Sequence, residues 1–443
     1  VSAHPFLERI RSADLIQRSG RVRKIMATHI EADGPNLALG GLCDVEACPG
    51  MGRRSFRAEV VRVDPDKILL SPLDDNIATY SGARVVGLAQ TSAVPVGPMF
   101  LGRAVDSLGV PIDGCGDIRA THFLPLQGET VSPLDRASPD ETLETGLRAV
   151  DGLLTLGKGQ RVGIFAASGV GKTSLVTQLA DHVSADITIL CLVGERGREV
   201  EAMWNKLLDA GTRARTTLVA ATSDQSAARR VRAAQYALAL AEYWRSQGKH
   251  VLLLLDSITR LAMALREIGL AAGEPPTIRA YTPSAFAAIP KLMERCGALK
   301  AGGAITAIVT VLSETDEIDD PISELMKSVL DGHIVLSRTF AERGQFPAID
   351  VGRSVSRQAQ ELARGPHRDH ALQLLEWIGL HQSSQTLINA GLYMKGANAK
   401  LDQALERQPE ILNFLRQRRD ERSPLSLTTS AMVRLVGGGT HRA

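Results

Sequence analysis

The segment from Gly163 to Leu175, GIFAASGVGKTSL, constrains this chain more than any other. Its turn, Ala166-Ala167-Ser168-Gly169-Val170-Gly171-Lys172-Thr173, has few bulky side chains to shield the backbone. N–H groups at Ser168, Gly169 and Gly171 are then free to point at phosphate oxygens, Lys172 reaches the β and γ phosphates, and the Thr173 hydroxyl is placed to hold Mg²⁺. A nucleotide polyphosphate site is therefore expected here.

The usual spacing has Gly where this chain has Ala166, so Ala166 is expected in an ordinary backbone region with negative φ. Arg161 to Ala166 reads as a buried strand. Thr173 to Ala180 begins a helix whose N-terminal dipole faces the phosphates. A glycine turn without a ligand is the competing reading, and two further motifs weigh against it.

The first is Val251 to Leu255 followed by Asp256, an apolar strand ending in a carboxylate beside the phosphate turn, where Asp256 accepts from Mg²⁺-bound water or from Thr173. The second is Gly194-Glu195-Arg196-Gly197-Arg198-Glu199-Val200, which follows the apolar run Ile187 to Val193. Cleavage of a γ-phosphate needs an oriented water, and a carboxylate just past a strand end can orient or deprotonate it. Glu195 is the candidate. In the competing reading, Glu195 and Glu199 are surface ion-pair partners of Arg196 and Arg198.

The 443 residues suggest about three domains, and 44% hydrophobic residues suffice for sizeable cores. No apolar run approaches the ~20 residues needed to cross a bilayer, and no signal peptide precedes His4-Pro5-Phe6, so a cytoplasmic site of action is expected. A net charge of +2 argues against a chain devoted to coating nucleic acid. Cys43, Cys48, Cys115, Cys191 and Cys296 are odd in number and scattered, and read as reduced thiols rather than half of a zinc site.

Four sections follow from the patterning. Residues 1–20 carry Phe6, Leu7, Ile10, Leu15 and Ile16 at spacing suited to an amphipathic helix, either docking a partner or packing on its own chain. Residues 21–94 alternate short β-rich runs with Gly, Pro and Asp clusters, as a small β-barrel does. Residues 95–365 alternate helical patterns with apolar runs, giving an α/β core on a largely parallel sheet. Residues 366–443 read as a helical domain, with helices at Ala371 to Ile378, Ser384 to Ala390 and Leu401 to Arg418 and a mobile tail after Ser423. Arg416, Arg418, Arg419 and Arg422 read as a solvated helix face.

Segments covering most of the chain, among them VPVGPMFLGRAVDSLGVPIDG, ASGVGKTSL, VGERGREV, LLLLDSITRLAMALREIGLAAGEPP, LDGHIVLSR and FPAIDVGRSVSR, resemble the homohexameric ATPase of bacterial type III secretion and flagellar protein export. That family is itself similar to the catalytic subunit of rotary ATP synthases, and Ala in place of the first turn glycine also looks like it. The resemblance implies a RecA-like P-loop core between an N-terminal β-barrel and a helical C-terminal domain, hydrolysing ATP with Mg²⁺. It implies Lys172 and Thr173 on phosphate and metal, Glu195 as catalytic carboxylate, Asp256 on Mg²⁺ and Arg196 in the phosphate-sensing shell. It further implies Arg357 as an arginine finger serving the neighbouring subunit, and Phe346 stacked on adenine.

The resemblance also implies a homohexamer, a stator-like regulator on residues 1–20, and a central stalk protein and chaperone-bound export substrates on the helical domain. With these goes a peripheral association with the inner-membrane export apparatus. The wording of the segments favours the injection type over the flagellar. Ala280 and Thr282 stand where the family more often has Gly and Pro, and the acidic stretch Ser313 to Asp320 falls near the family's central pore or is a hydrated turn. The rival readings are an ATP synthase-type catalytic subunit, a noncatalytic ring subunit, which would lack Glu195, and a hexameric RNA translocase resembling Rho. Single-strand binders use aromatic platforms; between Gly20 and Ala93 only Phe56 and Tyr80 are aromatic, so no nucleic acid is expected.

Overall fold

The computed structural model describes residues 17–50, 52–74, 78–88, 93–207, 209–313 and 320–437. Residues 1–16 of the expected N-terminal helix and most of the acidic stretch lie outside them, and the last two residues of that expected helix, Ser19 and Gly20, belong to a strand. Six strands form the first unit: β1 (Ser19–Ile25), β2 (Ile30–Ala32), β3 (Leu42–Glu46), β4 (Ser55–Val63), β5 (Ile68–Pro72) and β6 (Arg84–Gly87). They close into a barrel in the order β1-β2-β5-β4-β3-β6. Strand β4 shows why: Phe56, Ala58 and Val60 point into the barrel core while Ser55 and Arg57 face outward, the period of two that closure requires.

The central unit is a parallel sheet flanked by helices. Its first part runs β7 (Ala104–Asp106), α1 (Arg148–Leu153), β8 (Arg161–Ala166), α2 (Lys172–His182), β9 (Ile187–Glu195) and α3 (Gly197–Ala202). It continues through β10 (Thr216–Thr222), α4 (Ala227–Ser246), β11 (His250–Asp256), α5 (Ile258–Ala271) and α6 (Pro283–Glu294). The last elements are β12 (Ala304–Leu312), α7 (Pro321–Val329), β13 (Gly332–Leu336) and β14 (Ile349–Ser356). The strand order is β14-β13-β8-β12-β11-β9-β10-β7, parallel throughout except for β14. Strands β9 and β11 are buried along nearly their whole length, which explains their continuous apolar runs. Helix α4, rich in alanine and covered on most sides, allows the close approach that this layered packing needs.

Because β8, β9 and β11 run in parallel, the turn after Ala166, Glu195 and Asp256 all leave the sheet at its carboxyl edge, where open α/β sheets bind ligands. The barrel is fastened to this unit by α4: Arg229 pairs with Asp106 and Asp74 at 3.2 and 3.4 Å, and Arg232 lies 3.6 Å from the buried Glu59 of β4. Burial pushes the Glu59 carboxyl up to about 7 despite Arg232.

The C-terminal region corrects the sequence reading in three places. The two expected helices at 371–378 and 384–390 are one helix, α8 (Pro366–Asn389), which runs through Gly379 in helical geometry, a single glycine costing only about 1 kcal/mol in a helix interior. Helix α9 (Ala399–Leu415) ends before the arginine run, so Arg416 to Arg422 form a loop instead of a helix face; Arg148 donates to the Phe414 and Arg416 carbonyls and pairs with Glu421. Of the expected mobile tail after Ser423, Leu425–Gly437 form a helix, α10, with Met432 and Thr428 fully buried over Gly152 of α1, and residues 438–443 lie outside the described residues. Thr428, Ala431, Met432 and Leu435 fall at helical spacing and form the face turned to the core, and for a helix of thirteen residues that packing supplies most of the stability.

The departure at Ala280 has a local consequence. Ala280 and Arg279 adopt φ of 60° and 51°, the left-handed region where a Cβ costs roughly 1–2 kcal/mol. Thr282 is fully buried against Gly269 of α5. Of the acidic stretch, Asp320 caps α7 by accepting from the Ile322 and Ser323 N–H groups.

Candidate active site

The phosphate turn joins β8 to α2. Ala166 is the last, buried residue of β8 and is absent from the positive-φ positions, as the sequence reading required. Gly169 and Gly171 take φ of 82° and 94°, and Gly171 caps α2 in the left-handed conformation, so the helix N–H groups open onto the turn. Ser168, Gly169 and Thr173 are exposed, while Ala167 and Val170 anchor the turn in the core.

Lys172 Nζ donates to Asp256 Oδ1 and lies 3.5 Å from Glu195 Oε1. All three side chains are nearly buried. A lysine between two carboxylates satisfies charges that burial alone would penalise by several kcal/mol each. It is also a cation with an alternative partner whenever a polyphosphate enters. Asp256 Oδ1 takes a second bond, 2.6 Å, from the Thr310 hydroxyl.

Glu195 owes its position to Gly194. The β9–β10 register slips between Val193 and Glu195, with Gly194 at φ 71°. A Cβ there would meet Arg260 Cδ at 2.9 Å. The glycine thus admits Arg260 of α5, which donates to the Gly194 carbonyl and brings its Nε 3.4 Å from Glu195 Oε1. Burial pushes the Glu195 carboxyl up to about 7; Lys172 opposes this, the Glu199 side chain and Asp256 add to it, and Arg260 opposes it more weakly. A carboxylate tuned close to neutral pH suits a group that takes a proton from water.

Arg196 is not part of this cluster. It caps α3, is largely exposed, and pairs with Glu199 at 3.6 Å. Arg260 stands beside Glu195 instead. Its sequence signal was available: it lies four residues past Asp256, in the first turn of the helix leaving the strand.

Phe346 stands beside the turn; a Cβ on Gly171 would meet its ring at 3.6 Å. With Ser174, Pro347, Gln417 and Arg419 it lines a cavity of about 270 Å³ next to the phosphate turn, sized for a planar ring system. Gln417, from the loop after α9, donates its backbone N–H to the Phe346 carbonyl and its side-chain amide to the Gly146 and Glu421 carbonyls. No sequence pattern pointed to Gln417 or Arg419. A larger cavity of about 980 Å³ opens beyond Phe346 among Arg148, Arg416 and Arg434, but neither Lys172, Glu195 nor Asp256 lines it.

Arg357 lies elsewhere. Ser356 pairs with Gly332 and Gly332 with Val162, at the amino edge of the parallel strands. The four-residue rise from Val162 to Ala166 puts it at least ~13 Å from the turn of its own chain. Arg357 is exposed there and donates to the Lys327 carbonyl.

The Thr173 hydroxyl and the Asp256 carboxylate are hard oxygen donors of the kind that would hold Mg²⁺. Among the described residues no group of three or more His, Cys, Asp or Glu side chains forms a metal cage.

Comparison with known proteins agrees with this geometry. The profile of the ATP synthase alpha/beta family, nucleotide-binding domain, matches residues 146–356, and that of the T3SS EscN ATPase C-terminal domain matches residues 363–434. The flagellum-specific ATP synthase of Bacillus subtilis is 40% identical over 437 residues, 99% of each chain. The type 3 secretion system ATPase of Xanthomonas euvesicatoria is 43% identical over 417 residues, 94% of each. The assembled ATPase EscN of enteropathogenic E. coli superposes with a TM-score of 0.88 at 38% identity, over 94% of this chain and 100% of that one, and EscN in complex with its central stalk EscO gives 0.84.

Proposed function

Because the chain belongs to the type III secretion and flagellar export ATPases of the ATP synthase family, we propose that the Lys172–Glu195–Asp256 cluster is its ATP-hydrolysing centre, completed by Arg357 of an adjoining copy in a homohexameric ring. The observation that carries this is the placement of Lys172. It is held by two carboxylates at the mouth of the phosphate turn, each of which has a separate task once the lysine turns to phosphate.

In this reading ATP enters with its base in the cavity beside Phe346 and its phosphates on the α2 N-terminus. Lys172 exchanges Asp256 and Glu195 for β and γ oxygens. Freed of its lysine, Glu195 accepts a proton from the attacking water, its carboxylate held by Arg260. Thr173 and Asp256 would hold Mg²⁺, which would neutralise charge on the phosphates. Charge spread over the transferring phosphoryl group is stabilised by a guanidinium from outside, since Arg357 lies at the far edge of its own sheet; such fingers accelerate hydrolysis about 10³- to 10⁵-fold, roughly 4 to 7 kcal/mol of barrier. Arg196, exposed beside Glu199, joins the phosphate-sensing shell when the neighbouring copy closes over it.

Hydrolysis then drives release and unfolding of chaperone-bound export substrates at the C-terminal helices. EscN assembled with its stalk supports a ring with a central stalk here also, and residues 1–20 are the proposed contact for a stator-like regulator. The chain works in the cytoplasm against the membrane export machinery; no helix among the described residues is long and apolar enough to cross a membrane. The injection type is favoured by the EscN likeness in fold and C-terminal domain. Flagellum-named relatives at equal identity make deletion of the gene, scored for motility and for secretion of injected proteins, the discriminating test.

The mechanism is tested by mixing two inactive variants, Arg357→Ala and Glu195→Gln. A ring containing both has interfaces where an intact Glu195 faces an intact Arg357, so turnover should reappear on mixing and rise steeply with protein concentration, indifferent to single-stranded RNA. Full turnover by Arg357→Ala as a strict monomer refutes the shared site, and RNA-dependent turnover moves the protein to the translocases.

A further inference from the structure

Strand β12 contains two threonines on one face of an otherwise apolar buried run, Thr306 and Thr310. Each hydroxyl out of contact with water needs a partner. Thr306 finds its partners in the Gly159 N–H and His250 Nε2, both at 2.8 Å and near the amino edge of the sheet. Thr310, four residues on, is 1% exposed and donates to Asp256 Oδ1 at 2.6 Å. The same oxygen takes Lys172 Nζ. Both donors therefore crowd one carboxylate oxygen and leave Oδ2 as the one open to a hard cation or its water.

The spacing that makes this bond is itself fixed. Leu312 N donates to Thr259 Oγ1 at 2.8 Å, which ties the end of β12 to the first turn of α5, three residues after Asp256. Neighbouring pairing of Leu255 with Val309 sets the register below it. The distance between Thr310 and Asp256 thus depends on two strands and a helix start, with no loop involved.

Resting on the ATP-hydrolysis reading above, we propose that Thr310 is the positioning residue of Asp256. When Lys172 leaves for phosphate, the Thr310 hydroxyl is the remaining protein donor on Oδ1. It holds the carboxylate in one rotamer, with Oδ2 presented to the metal site. Without it, a carboxylate that has just lost its lysine turns freely, and the hard-cation site is no longer preorganised.

The test uses the full chain with Thr310→Val, which keeps the shape and removes the donor, and Thr310→Ser, which keeps the donor and removes a methyl. Thr306→Val is the control for loss of a buried hydroxyl elsewhere on the same strand. Two quantities are read: kcat and KM with a Mg²⁺ titration, and the affinity of a fluorescent ADP analogue in Mg²⁺ against EDTA. Thr310→Val should lose about 10- to 100-fold in kcat, as partners of metal ligands typically do, and need correspondingly more Mg²⁺ for half-maximal rate. It should also lose most of the tightening of ADP binding by Mg²⁺ while binding in EDTA stays unchanged.

Thr310→Ser should restore all of these, and Thr306→Val should alter melting temperature without moving the Mg²⁺ dependence. Wild-type Mg²⁺ dependence in Thr310→Val overturns the proposal, as does a Thr310→Ser variant as impaired as Thr310→Val. If Thr310→Val fails to fold, Thr310→Ala against Thr310→Ser decides on the same criteria. A wild-type protein that binds ADP with Mg²⁺ but never hydrolyses ATP sinks the ATPase reading, and the ratio of ADP affinities still judges Thr310.

Discussion

Replacing Gly194 by Ala adds one methyl group and should disable the site. At φ 71° an alanine costs roughly 1–2 kcal/mol, and its Cβ would lie 2.9 and 3.1 Å from Arg260 Cδ and Cβ, well inside ordinary contact. Two relaxations are open. Either the backbone returns to negative φ, which carries Glu195 out of line with Lys172, or Arg260 withdraws and gives up both the Gly194 carbonyl and Glu195. Each forfeits a hydrogen bond to a charged group, worth about 1.5–3 kcal/mol, or roughly 10- to 150-fold in rate if the interaction operates in the transition state. Steady-state turnover and the affinity of a fluorescent ATP analogue would be compared. The expected result is a fall in kcat of about 10²-fold, with nucleotide affinity changed by less than about threefold because the phosphate turn is untouched. A Gly194→Ala protein within twofold of wild-type kcat would refute the coupling of Gly194, Arg260 and Glu195.

Glu195 gives a pH prediction: its carboxyl is raised to about 7 by burial, and the ionised form is the base, so kcat/KM should climb about tenfold per pH unit below that value and level off above it; a profile already flat at pH 5.5 removes Glu195 as the base. For stability the sign is opposite, since a folded-state pKa above the unfolded value contributes stability at low pH that is lost as pH rises through about 7. Met432→Ala tests the last helix: Met432 has no exposure and packs over Gly152, so a loss of about 2–5 kcal/mol is expected in the unfolding of the unit that α10 covers, and an unchanged melting curve would mean that residues after 423 do not pack.

Lys172, Glu195 and Asp256 were legible one by one, because each follows a continuous apolar run and such runs, buried on both faces of a parallel sheet, must end together at one edge. Arg196, one residue past Glu195, is at the start of α3 and faces solvent within its own chain, so adjacency in sequence does not put it beside that carboxylate. Arg260 takes that place from 65 positions away, through a gap that only Gly194 leaves open. Residues 425–437 misled for a different reason: the glycine-rich end suggested a loose tail, although Thr428, Ala431, Met432 and Leu435 carry the helical spacing of a face that packs on α1, α8 and α9.

Local chemistry therefore determined the phosphate turn, the barrel-sheet-helix order and the identity of the two site carboxylates. These depend on steric freedom at glycine and on hydrophobic periodicity, both written in consecutive residues. Tertiary structure alone decided which cation stands beside Glu195, that Thr310 holds Asp256, that Gln417 closes the cavity at Phe346, and that Arg357 lies too far to serve its own turn. These are distances between segments far apart in the chain, fixed by strand register and by which helix covers which strand, and a linear order of residues carries no measure of them.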